Sequence, residues 1–148
     1  MKLLKLYSWI AGNMADFTKP YTENKALYSQ ARAFWNKLEN SSMLIVLIFL
    51  VLGIAMAVYY YTSYNNRPGR HYTPKHWLIM LVVTFVLTFI VTFGFEYLTL
   101  KTTINGATML EVKIAIGNAI YAAGIYVLTS IVWCNLPLTT NAYKLFKF

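Results

Sequence analysis

An all-α integral membrane protein with three transmembrane helices is the fold class this sequence predicts, and three observations carry that reading. The 148 residues are 58% hydrophobic and only 12% charged, about half the charged share of an ordinary soluble domain. Three runs, about 43–62, 76–98 and 112–136, are each long enough to cross roughly 30 Å of hydrocarbon at about 1.5 Å per residue. Chain breakers stand between them, Pro68-Gly69 and Pro74 in one turn and Asn105-Gly106 in the other, where helix should stop. Residues 1–148 read as a single membrane domain: an amino-terminal part over 1–40, a three-span bundle over 43–136 and a short tail over 139–148.

Two amphipathic helices are expected before the first span. In residues 1–19, Leu3, Leu6, Tyr7, Ile10, Met14 and Phe17 recur at steps of three and four, while Lys2, Lys5, Asn13 and Asp16 fall mostly on the other side. That pattern suits a helix lying in the membrane interface, weakened at Gly12 and ended by Pro20. Lys5 interrupts the apolar stretch, which argues against a secretory signal. Thr22 can cap a second helix to about Glu39, with Leu27, Ala31, Phe34 and Leu38 as its apolar stripe and Lys25, Arg32 and Lys37 as its charge. Asn40, Ser41 and Ser42 allow either a break before the first span or a helix read straight through. The same three residues match a glycosylation acceptor, a pattern common by chance.

The first span, Met43 to Tyr61, carries no charge and contains Gly53 and Ala57, a small-xxx-small step that lets helices approach closely. Tyr59, Tyr60, Tyr61 and Tyr64 follow as an interfacial aromatic belt. The turn after them holds Arg67, Arg70, His71 and Lys75 without an acid, and Arg67, Arg70 and Lys75 are expected to contact anionic headgroups or an anionic ligand. The second span is interrupted by Thr84, Thr88 and Thr92, with Glu96 one further step of four along. Such spacing keeps side chains near one helix face, drifting by about 40° per step. Lipid is a poor neighbour for that ridge, so it should face protein or water. The third span brings Ala115, Ala119 and Ala123 to one face and places Asn118 within reach of another helix. In an antiparallel arrangement, Trp133 should lie on the same side as the tyrosine-rich turn. The tail, with Lys144 and Lys147 among Leu145, Phe146 and Phe148, reads as an interfacial anchor.

The formal charge of +8 would direct attention to nucleic acid in a soluble protein. Beside membrane spans it points to anionic lipid headgroups, and no direct nucleic-acid binding is expected. Eight of the thirteen Lys and Arg lie on the amino-terminal side of the spans and five on the other, which favours a cytoplasmic amino terminus. Setting aside Lys2, Lys5 and Lys19 as too far from a span makes the sides equal. The expected location is a bacterial-type inner membrane or another cellular membrane.

Chemistry leaves few traces. The single Cys134 excludes an intrachain disulfide and a cysteine-rich metal cluster. No Gly-rich phosphate loop, HExxH or GxSxG occurs, His71 and His76 are poorly placed for haem, and neither metal, cofactor nor enzymatic activity is expected. Two functional classes remain. One is an oligomeric channel or pore-type subunit, or a gated membrane effector. Its passage would be lined or supported by Thr84, Thr88 and Thr92 and biased towards cations by Glu96. The other is a non-catalytic accessory, anchoring or assembly subunit whose ridge and small-residue face pack on partner membrane subunits.

Overall fold

A computed structural model describes residues 3–64, 74–137 and 144–146. Arg67, Arg70, His71 and most of the tail lie outside these residues. Every regular element among the described residues is helical. Short helices α1 (Ser8–Ala11) and α2 (Met14–Thr18) precede three long ones, α3 (Lys25–Tyr59), α4 (Pro74–Leu100) and α5 (Ala107–Asn135). The long three are extended and apolar enough to cross a membrane.

The amino-terminal segment departs from one continuous amphipathic helix. It comprises a 3-10 turn over Leu3–Tyr7, then α1, α2 and a second 3-10 turn over Lys19–Tyr21. Gly12, at φ 72°, ends α1, a left-handed conformation that a Cβ would strain. A new helix starts at once because the Asp16 carboxylate accepts the Asn13 backbone N–H at 3.2 Å, as in a capping box. The apolar stripe is divided accordingly: Tyr7 is fully buried, whereas Leu6 is 42% exposed.

The second expected amphipathic helix is not a separate element. Its residues form the first turns of α3, which runs unbroken for 35 residues, about 52 Å at the usual rise. Neither Gly nor Pro occurs between Lys25 and Leu52. At the point where a break was conceivable, Ser42 Oγ donates to the Glu39 carbonyl at 2.6 Å, a local bond a helix accommodates. The capping residue is Asn24 rather than Thr22. Asn24 Oδ1 accepts the N–H groups of Ala26 and Leu27 at 3.0 and 3.3 Å, while the Thr22 hydroxyl bonds back to Lys19. Pro74, expected to keep helix away, opens α4 instead, because a first-turn residue needs no intrahelical N–H bond. Helix α5 begins at Ala107, five residues before the expected start, directly after Gly106 at φ 88°.

The contacts fall into two compact units, and each long helix contributes to both: residues 1–47 with 89–118, and residues 48–88 with 119–148. In the first unit, Phe17 packs against Phe34 and Trp35 with ring centroids 5.8 and 5.9 Å apart. The Tyr21 hydroxyl donates to the Asn105 carbonyl in the α4–α5 turn. Its core includes Ala31, Leu38, Ile45, Leu100 and Ile114. In the second unit, a cluster around Ala57, Tyr60, Tyr61, Trp77, Met80 and Tyr126 is buried. There Trp133 stacks on Tyr61 at 5.9 Å, the proximity required of antiparallel spans. Phe146 from the carboxy-terminal segment packs edge-on against Trp77 at 5.5 Å, and its carbonyl accepts a bond from Asn135 Nδ2 at 2.9 Å.

Candidate functional site

The period of α4 explains what its ridge does. Leu78, Val82, Val86 and Ile90 are between 47 and 59% exposed, whereas Thr84, Thr88, Thr92 and Glu96 are wholly buried. The two sets are offset by two residues, about 200° around a helix, so apolar and polar residues take opposite faces.

Within the first unit, Asn118 of α5 is the hub. Its Oδ1 accepts the Tyr7 hydroxyl at 2.6 Å, and its Nδ2 donates to Thr92 Oγ1 at 2.7 Å and to the Ile45 carbonyl at 3.0 Å. One amide thereby ties the amino-terminal segment, α3 and α4 to α5. All four groups are interior, where unsatisfied polar atoms are expensive. Tyr7 also rests against Gly117, at which an added Cβ would lie 3.0 Å from the ring.

Glu96, one turn along α4 from Thr92, is different. Its side chain is fully buried, and neither carboxylate oxygen has a hydrogen-bond partner among the described residues. Glu111, the second acid of this region, is 3% exposed and within electrostatic range of Glu96. Glu111 is not among the candidate residues of the sequence, although 111, 115, 118 and 122 recur at helical steps that could have placed it on one face with Asn118. Tyr7 had been assignable only to an apolar stripe. Its hydroxyl partner, 111 positions away, leaves no local trace. Among the described residues no three His, Cys, Asp or Glu side chains converge as metal ligands.

Within the second unit, the Thr84 hydroxyl donates to the Met80 carbonyl of its own helix at 2.7 Å, while buried Thr88 Oγ1 has no hydrogen-bond partner among the described residues. Trp77 Nε1 donates to Ser130 Oγ at 3.1 Å, and the Tyr126 hydroxyl reaches the Trp77 carbonyl at 3.3 Å. Gly53 allows a close helix approach here: a Cβ would stand 2.8 Å from the Ala122 carbonyl and from Ile125. Ala57, Ala119 and Ala122 are fully buried in this unit, as Ala115 is in the first, whereas Ala123 is only half-buried. The small-residue face therefore runs through 122 rather than 123, since successive steps of four drift off a 3.6-residue repeat. Lys75 is exposed in the first turn of α4.

The chain matches no family model, no curated protein and no solved structure.

Proposed function

We propose that this protein is a small, non-enzymatic polytopic membrane protein of the channel or gated-effector type, acting as an oligomer, with Glu96 as its ion- or proton-binding group. The observation that carries this reading is the carboxyl of Glu96, wholly buried with neither oxygen hydrogen-bonded among the described residues. Removing an ionised carboxylate from water costs several kcal/mol even after relaxation unless a cation or a set of donors meets it. No packing advantage requires such a group, and within a span it marks an ion or proton pathway by default. The threonine ridge is enclosed by the protein's own helices, so a passage lined by it requires those helices to separate. That favours a gated effector over a permanently open pore, with neighbouring copies completing a passage too large for three helices to enclose.

The accessory or anchoring reading has one observation in its favour. Thr84 and Thr92 are hydrogen-bonded within the chain, as residues serving only in packing would be.

Reconstitution separates the two. A channel-type subunit forms a discrete oligomer in detergent and passes cations across liposomes, with Glu96→Gln abolishing the flux or changing its cation preference. A monomer without conductance, co-purifying with a stoichiometric membrane partner, would establish the accessory role instead.

A further inference from the structure

We propose that a cleft between the first half of α3 and the end of α4 binds the phosphate of an anionic phospholipid. The inference rests on the membrane placement of the proposed function but not on conduction. The cleft has a volume of about 280 Å³ and is lined by Gln30, Phe34 and Lys37 from α3 and by Leu100, Lys101 and Thr103 at the end of α4 and beyond. Its two cations are free to meet an anion. Both residues are exposed, and neither Lys37 nor Lys101 has an ion pair or a side-chain hydrogen bond among the described residues. Thr103 and Gln30 add neutral donors. Phe34 and Leu100, 3 and 2% exposed, give the same cleft an apolar wall, so its lining is amphiphilic like a lipid at the glycerol level.

The backbone also singles out Lys101. It is the described non-glycine residue with positive φ, 29°, an unfavourable conformation for a residue with a Cβ. It follows directly on Leu98–Leu100, where the apolar run of α4 ends, which is headgroup depth for a spanning helix. A neighbouring cleft of about 380 Å³ shares Lys101 and Thr103 but includes the carboxyl of Glu111, which disfavours an anion there. The size of the first cleft lies just below the roughly 300 Å³ at which pockets begin to enclose drug-sized ligands. It suits a glycerophosphate headgroup better than a nucleotide.

The test uses the full chain purified in neutral detergent, titrated with phosphatidylglycerol, phosphatidylcholine or free glycerol 3-phosphate and read by native mass spectrometry. Phosphatidylglycerol is expected to bind about ten-fold more tightly than phosphatidylcholine. Lys37→Gln and Lys101→Gln should each weaken it about five-fold, which is about 1 kcal/mol per lysine, and together roughly 25-fold if they act independently. The exposed pair Lys19→Gln and Lys25→Gln, outside the cleft, should leave binding unchanged. Circular dichroism identical to wild type keeps misfolding out of the comparison, and Lys37→Glu gives a second, charge-reversed variant. Equal affinity for the two lipids, or undiminished binding by the double variant, overturns the proposal. Competition by glycerol 3-phosphate at equal concentration also overturns it, by assigning the cleft to a soluble phosphate. A chain that is recovered without membranes or detergent would instead remove the membrane placement itself.

Discussion

At the scale of single residues, the four members of the α4 ridge should behave differently although they share one face. Thr92 accepts a bond from Asn118, so Thr92→Val leaves a buried donor short of a partner and should cost about 1 kcal/mol. Among the described residues the Thr84 hydroxyl bonds to a carbonyl of its own helix, and Thr84→Val should change stability by less than about 0.5 kcal/mol. The Thr88 hydroxyl has no hydrogen-bond partner among the described residues, so Thr88→Val should be neutral or stabilising. Thermal melts of the detergent-solubilised variants would rank them, and a uniform response along the ridge would contradict these assignments. Glu96→Leu removes an unsatisfied buried polar group while keeping much of the volume, and should stabilise the protein by about 1–3 kcal/mol. A loss of stability would mean that the carboxyl has a stabilising partner, such as a bound cation. Asn118→Leu should cost about 1–2 kcal/mol, since it strands the Tyr7 and Thr92 hydroxyls together.

At the scale of elements, close approach and capping matter more than hydrophobicity. Valine at position 53 would drive its Cβ into the Ala122 carbonyl and Ile125, both on a helix that cannot retreat without repacking. Gly53→Val is therefore expected to cost about 1–3 kcal/mol or more, while Gly94→Ala, where a Cβ meets nothing within 4 Å, should be tolerated and favours helix slightly. The same melts test this contrast. At the start of α3, Asn24→Ala should cost about 1 kcal/mol, because the one side-chain oxygen that accepts the N–H groups of Ala26 and Leu27 is lost, whereas Thr22→Ala should be nearly silent. An equal effect of the two would restore Thr22 as the cap.

At the scale of the whole molecule, the full count of eight Lys and Arg on the amino-terminal side against five on the other gives the expected orientation. The expected outcome of cysteine scanning is that Lys75→Cys reacts with a membrane-impermeant maleimide on intact cells, while Lys25→Cys reacts only after permeabilisation. The native Cys134 is 2% exposed and should give little background. Labelling in the reverse pattern would place the amino terminus outside.

Much of this architecture was legible because the signals involved are local or periodic. A run of twenty apolar residues identifies a helix that can span, Asn105-Gly106 a turn, and hydroxyls at steps of four a common face. Such features need no knowledge of the neighbours. The inward direction of the α4 ridge also followed from the sequence, since between Trp77 and Glu96 the helix has no polar side chains besides Thr84, Thr88 and Thr92. What only the tertiary structure decided were choices between nearly equal local alternatives and pairings remote in the chain. Reading through Asn40–Ser42 depends on a helix that Ser42 can join as easily as interrupt. The preference for Ala122 over Ala123 is a matter of 100° of helix rotation, set by what packs against α5. The partnership of Tyr7 with Asn118, and the burial of Glu96 near Glu111, arise from contacts between segments that sequence spacing does not relate. Apolar patterning determines which surfaces are buried, but a hydrogen bond needs a donor and acceptor within about 3 Å, and only the packed chain brings them there.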